Sequence, residues 1–108
     1  CYAFTAEEVD VLEAAAEELH RLCLAACNHV VERRRFAELA IPPAFHDLVA
    51  ASWAAREPSL YGRFDLAWDG SGTPRMLEYN ADTPTALLEA SVVQWHWLQD
   101  VRPEADQF

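Results

Sequence analysis

Four residues stand at spacings that suggest metal and phosphate chemistry: Arg63 with Asp65, and Glu78 with Asn80, each pair two apart. Both pairs fall in alternating runs. Phe64, Leu66 and Trp68 alternate with Arg63, Asp65 and Ala67, and Arg75, Leu77 and Tyr79 alternate with Met76, Glu78 and Asn80. A period of two is that of a strand, so the members of each pair share a face. Carboxylate and amide oxygens are hard ligands, and one or two carboxylates with water and substrate phosphate are the usual way of holding Mg²⁺. Arg63 adds a rigid fork of donors that matches phosphate. The same residues equally make a wet sheet face on which Arg63 pairs with Asp65 or Glu78, an interaction of roughly 0–1 kcal/mol.

The two runs are separated by Asp69-Gly70-Ser71-Gly72, a turn sequence, which predicts an antiparallel hairpin with a return strand from about Pro74 to Asn80. Placing Phe64 opposite Tyr79 and Leu66 opposite Leu77 collects the apolar residues on one face. The other face then follows, with Asp65 opposite Glu78 and Arg63 opposite Asn80. A one-residue slip would turn Arg or Glu into the core. Carboxylates opposed in this way have Cβ atoms about 4.5–5.5 Å apart and repel unless something positive lies between them.

Helices precede and follow the hairpin in the chain. Thr5 and Glu8 have capping-box spacing, and Leu12, Ala15, Leu19, Leu22, Cys23, Ala26 and Val30 form one stripe, predicting a helix to about Arg34 with Arg33 to Arg35 in its last turn. Pro42-Pro43 breaks the chain and starts a second helix, with Phe45, Leu48, Val49 and Trp53 on one side, ending before Pro58. Asp82-Thr83-Pro84-Thr85 predicts the start of a third, with Leu87, Leu88, Val92, Trp95 and Leu98 facing inward. The fold class expected is α+β: two N-terminal helices, an antiparallel β-hairpin and a C-terminal helix.

With 108 residues, 52% of them apolar, the chain suits a single domain with one core. Its net charge of −10 argues against nucleic acid and anionic membrane as partners. All eight basic residues are Arg, so any lysine-dependent phosphate chemistry must come from elsewhere. No apolar run is long enough to cross a bilayer, and three cysteines are too few and odd for a disulfide scaffold, which together point to a reducing cytoplasm. The start at Cys1 and the lone Met76 suggest a stretch of a longer polypeptide. His20, Cys23 and Cys27 share a helix face but lack a fourth ligand, so they read as core packing. Adjacent residues of Trp95-His96-Trp97 point in different directions on a helix, which disfavours a base-stacking platform.

The stretch from Ser59 to Asp100 closely resembles the synthetase domain of the glutathionylspermidine synthase family, ATP-grasp ligases that join a carboxylate to an amine. The marked parts are Arg63-Phe64-Asp65, the run EYNADTPT from Glu78 to Thr85 and the helix EASVVQWHWLQD; the opening FTAEEV at Phe4 is similar too. The resemblance implies Mg²⁺ ligation by Asp65, Glu78 and Asn80, contact of catalytic Arg63 with the transferred phosphoryl group of ATP, and acyl-substrate binding near Thr83 and Thr85. It also implies glutathione- and polyamine-like substrates, and a larger ATP-grasp-type fold of which residues 1–108 are a fragment. Three glycines, no Gly-rich loop and no lysine mean that ATP is bound mainly by the remainder of the parent polypeptide, so this stretch alone should be inactive. A different class of reading is a non-enzymatic acidic interaction domain that binds a basic partner.

Overall fold

The computed structural model describes residues 2–82 and 84–107. They are helical with one two-stranded antiparallel sheet, an α+β mixture, in the order α1 (Ala6–Glu32), 3₁₀ turns at Phe36–Leu39 and Pro43–Phe45, α2 (His46–Ala55), β1 (Arg63–Ala67), β2 (Arg75–Asn80), a π-helical turn at Glu89–Val93 and α3 (Gln94–Val101). The chain divides into two compact units, residues 1–12 with 61–108, and residues 13–60.

The capping box forms in full. The Thr5 N–H donates to Glu8 Oε2 at 2.7 Å and the Glu8 N–H to Thr5 Oγ1 at 3.2 Å, satisfying two of the four orphan donors at the start of α1. The helix ends at Glu32, so Arg33 to Arg35 lie past its last turn and not within it. The cause is a left-handed residue, Arg34 at φ 50°. The Arg35 N–H then reaches back to the Val30 carbonyl (2.9 Å) and the Arg34 N–H to Val31 (3.1 Å), a Schellman closure with arginine where glycine is usual.

In the unit of residues 13–60 that turn delivers Phe36, which is fully buried. Its ring packs on the His46 imidazole, centroids 4.7 Å apart, and the Arg34 guanidinium carbon lies 5.6 Å from its centroid. Arg34 also donates to Asp47 (2.7 Å), and Arg35 donates to both oxygens of Glu38 (2.7 and 2.6 Å). These bonds hold the Asp47 and Glu38 carboxyls below the usual carboxylate range. Lowered folded-state values mean that the pairs stabilise the fold above the ordinary carboxylate range and are lost as pH falls through and below it. On α2, Val49 and Trp53 are half-buried while Phe45 and Leu48 stay exposed, so the expected apolar side is only partly covered. Cys23 is half-buried and Cys27 exposed, and α1 has no buried residue; the core packing expected of these cysteines is not present.

In the other unit the hairpin forms as Arg63 with Asn80, Phe64 with Tyr79 and Asp65 with Glu78. Beyond Asp65 the register shifts, and Leu66 pairs with Met76 and Ala67 with Arg75. The expected pairing of Leu66 with Leu77 is therefore wrong. Leu77 is the extra residue of a β-bulge and is 70% exposed, and the bulge moves Met76 onto the face of Leu66. Phe64 and Tyr79 stack at 4.1 Å. Gly62 makes room for this: a Cβ there would stand 2.7 Å from Tyr79 Cε2 and 2.9 Å from its hydroxyl. At the hairpin tip the Asp69 carboxylate accepts from the Ser71 hydroxyl (2.8 Å) and N–H (3.0 Å), while Gly70 and Gly72 take φ of 84° and 63°.

Helical geometry resumes at Leu87, later than the start predicted at Asp82 to Thr85, because Ala86 has φ 79° and cannot belong to a right-handed helix. Of the residues expected to face inward, only Leu98 is buried; Leu87, Leu88, Val92 and Trp95 are exposed.

Two substitutions probe these supports, each read by thermal or denaturant melts of the purified protein. Phe36→Ala should cost about 3–5 kcal/mol, the range for emptying a buried aromatic site. Gly62→Ala should cost about 1–3 kcal/mol, because the added methyl meets a ring already fixed by stacking. Pairing it with Tyr79→Leu should cost less than the sum of the two single changes.

Candidate functional site

The polar face of the hairpin contains the expected four residues. Because cross-strand partners share a face, the observed pairing sets Asp65 against Glu78 and Arg63 against Asn80, all four on one side of the sheet. The bulge lies on the far side of this group, between Asp65 and Leu66, and leaves it in register.

Arg63 is the centre of the arrangement. Its Nε donates to Asp65 Oδ1 at 2.9 Å, with Nη2 at 3.5 Å from Oδ2, and its Nη1 donates to Thr85 Oγ1 at 2.8 Å. The ion pair of the wet-face reading is thus present, with Asp65 and not with Glu78. The two side chains are 31% and 42% exposed, which keeps the pair in the weak class of surface bridges. The Glu78 side chain is exposed and makes no hydrogen bond or ion pair among the described residues. Asn80 is half-buried.

Thr85 joins the group through its hydroxyl, not through a helix N-terminus, since the helix begins two residues later. Thr83 lies outside the described residues. The Thr85 carbonyl accepts from the Tyr61 hydroxyl at 3.3 Å. Tyr61 and Gly62 are thus parts of the site that sequence reasoning missed; their only signal there is the change of period at which they stand. Among the described residues no three His, Cys, Asp or Glu side chains group closely enough to hold a metal ion by themselves.

What the arrangement can do follows from its parts. Two carboxylates and a carboxamide offer oxygens to a hard cation, and a guanidinium held at two edges offers an oriented positive charge to an anion.

The family described as glutathionylspermidine synthase preATP-grasp matches residues 1–108. A Haemophilus influenzae protein provisionally named an acid–amine ligase is 42% identical over 109 residues, covering 99% of this chain and 28% of that protein. Glutathionylspermidine synthase of Crithidia fasciculata is 39% identical over 88 residues, 77% of this chain and 12% of the relative. Trypanothione synthetase of the same organism is 29% identical over 90 residues, 82% and 14% respectively. The chain therefore spans less than a third of each of these relatives. With its whole length matched by that family, and with one relative named as glutathionylspermidine synthase and another as an acid–amine ligase, the chain belongs to the glutathionylspermidine synthase preATP-grasp family.

Proposed function

We propose that the face formed by Arg63, Asp65, Glu78 and Asn80 binds Mg²⁺ and the transferring phosphoryl group in an ATP-dependent ligase that forms an amide from an acid and an amine. The supporting observation is the hairpin register, which opposes two carboxylates beside an amide and an arginine. The donor set fits the ion: all three ligands are hard oxygen donors, and two carboxylates leave positions for water and phosphate oxygens. Magnesium held there supplies positive charge against the phosphate oxygens.

In such a reaction the substrate carboxylate attacks the γ-phosphorus of ATP, ADP leaves, and the amine displaces phosphate from the resulting acyl phosphate. Arg63 presents its guanidinium to the charge that spreads over the transferring group, a matter of positioning and electrostatics. The Thr85 hydroxyl accepts from Arg63 and so keeps its own proton to donate to an oxygen of the acid; Thr83 is assigned to the same substrate. Glutathione-like acids and polyamine-like amines are the substrate classes we assign, following the names of the two Crithidia relatives. The rest of a longer polypeptide, clamping most of the nucleotide, is the partner we assign, in keeping with the small share of each relative that this chain spans. The compartment we assign is the cytoplasm.

Titrating Mg²⁺ and ATP into the complete gene product, and following ADP release with such acids and amines, tests the reading. A folded protein that binds no nucleotide would favour the acidic interaction domain instead.

A substitution separates metal binding from folding. Glu78→Gln keeps the shape and removes one of two opposed negative charges, so the metal-free melting temperature should stay level or rise. Turnover should fall on the order of a hundredfold, as when one preorganised electrostatic contributor is lost. Calorimetric Mg²⁺ affinity measured beside a non-hydrolysable ATP analogue should fall with it. A lowered melting temperature with normal turnover and affinity would refute the assignment.

A further inference from the structure

We propose that Tyr61 is a positioning residue: acting through Thr85, its phenol fixes the orientation of the Arg63 guanidinium. The inference deepens the function proposed above and rests on it for the use to which Arg63 is put.

Thr85 is gripped at both of its oxygens by residues two apart in sequence. Its carbonyl accepts from the Tyr61 hydroxyl at 3.3 Å and its own hydroxyl accepts from Arg63 Nη1 at 2.8 Å. Between those two residues stands Gly62, closed against the Tyr79 ring, which in turn stacks on Phe64. The stretch 61–63 therefore cannot slide without disturbing the stacked pair, and it serves as a fixed post. The other edge of the Arg63 fork rests on Asp65.

The partner of this post is under strain. Ala86, next to Thr85, has φ 79°, a conformation that a residue with a Cβ keeps only when its surroundings hold it there. The Tyr61 bond to the Thr85 carbonyl acts on the peptide group shared by Thr85 and Ala86. Without it, that peptide can rotate toward ordinary values, carrying the Thr85 hydroxyl away from Nη1. Arg63 would then keep only Asp65, and its outer edge would turn freely.

The test uses the complete gene product labelled with ¹⁵N-arginine, in which the Arg63 Nη–H signals are identified by their loss in Arg63→Lys. Tyr61→Phe removes one hydroxyl and keeps the ring. We expect exchange of the Arg63 Nη protons, which the Thr85 hydroxyl protects at Nη1, to speed up on the order of tenfold while the melting temperature changes little. We expect kcat to fall on the order of tenfold with KM for ATP nearly constant, the pattern for an interaction that matters in the transition state. Thr85→Val should reproduce the exchange effect, and Thr85→Ser, which keeps the hydroxyl, should restore it. Unchanged exchange in Tyr61→Phe overturns the proposal, as does faster exchange that merely tracks a drop in melting temperature. If the unsubstituted protein turns over no ATP, the ligase reading fails by itself, and the exchange rates still decide whether Tyr61 positions Arg63.

Discussion

The stack of Phe64 on Tyr79 is the contact on which the geometry of the hairpin's polar face depends. Side chains of a strand alternate with a period of two, so once these rings are opposite each other the neighbours on the other face have no freedom: Asp65 meets Glu78 and Arg63 meets Asn80. The stack itself depends on an absence of atoms, since any side chain at position 62 would occupy the space of the Tyr79 ring. A backbone position without chemistry of its own thus decides whether two carboxylates meet. The bulge at Leu77 is tolerated because it falls beyond the group, where it shifts only the pairs of Leu66 with Met76 and Ala67 with Arg75.

Electrostatics on that face are unbalanced. Arg63 offsets the charge of Asp65 and leaves Glu78 without a partner among the described residues. Two unit charges about 4 Å apart interact by roughly 1 kcal/mol in water and roughly 4 kcal/mol at a partly shielded protein surface. Whatever the value at this site, it opposes the strand pairing, and the Arg63 guanidinium on Asp65 offsets part of it. The bridge between Arg63 and Asp65, being partly exposed, is in the class worth about 0–1 kcal/mol. Arg63 is therefore held more by the directions of its hydrogen bonds than by their energy, and an anion with more charge than a single carboxylate can compete for it.

The sequence is most readable where local rules and burial agree. Thr5 and Glu8 cap α1 as their spacing predicts because both partners belong to the same turn, and three of the five hairpin pairs follow from alternation alone. Alternation could not reveal the bulge, because it costs one residue of register and leaves the pattern of types intact. The late start of the C-terminal helix was hidden for another reason: Asp82 to Thr85 has good capping chemistry, and nothing in an alanine at position 86 announces a positive φ. Arg34 likewise closes α1 in a conformation normally given to glycine. The expectation of inward-facing stripes failed more broadly. Periodicity identifies which side of a helix is apolar but not what covers it, and among the described residues only Phe36, Pro74 and Leu98 are buried, one of them on a helix stripe expected to face inward.

The strain at Ala86 can be weighed against what holds it. A non-glycine residue in this region costs of the order of 1–3 kcal/mol. The two hydrogen bonds at Thr85 contribute about 0.5–1.5 kcal/mol each by the usual net figure, so together they cover the same range and little more. The balance is close, and it makes the conformation of the segment conditional on both bonds. Arg63 supplies one of them and depends on it in turn. The orientation of the arginine and the conformation of residues 85 and 86 are therefore one equilibrium, which any ligand that draws Arg63 away from Thr85 must shift, and which the Tyr61 hydroxyl biases toward the arrangement observed.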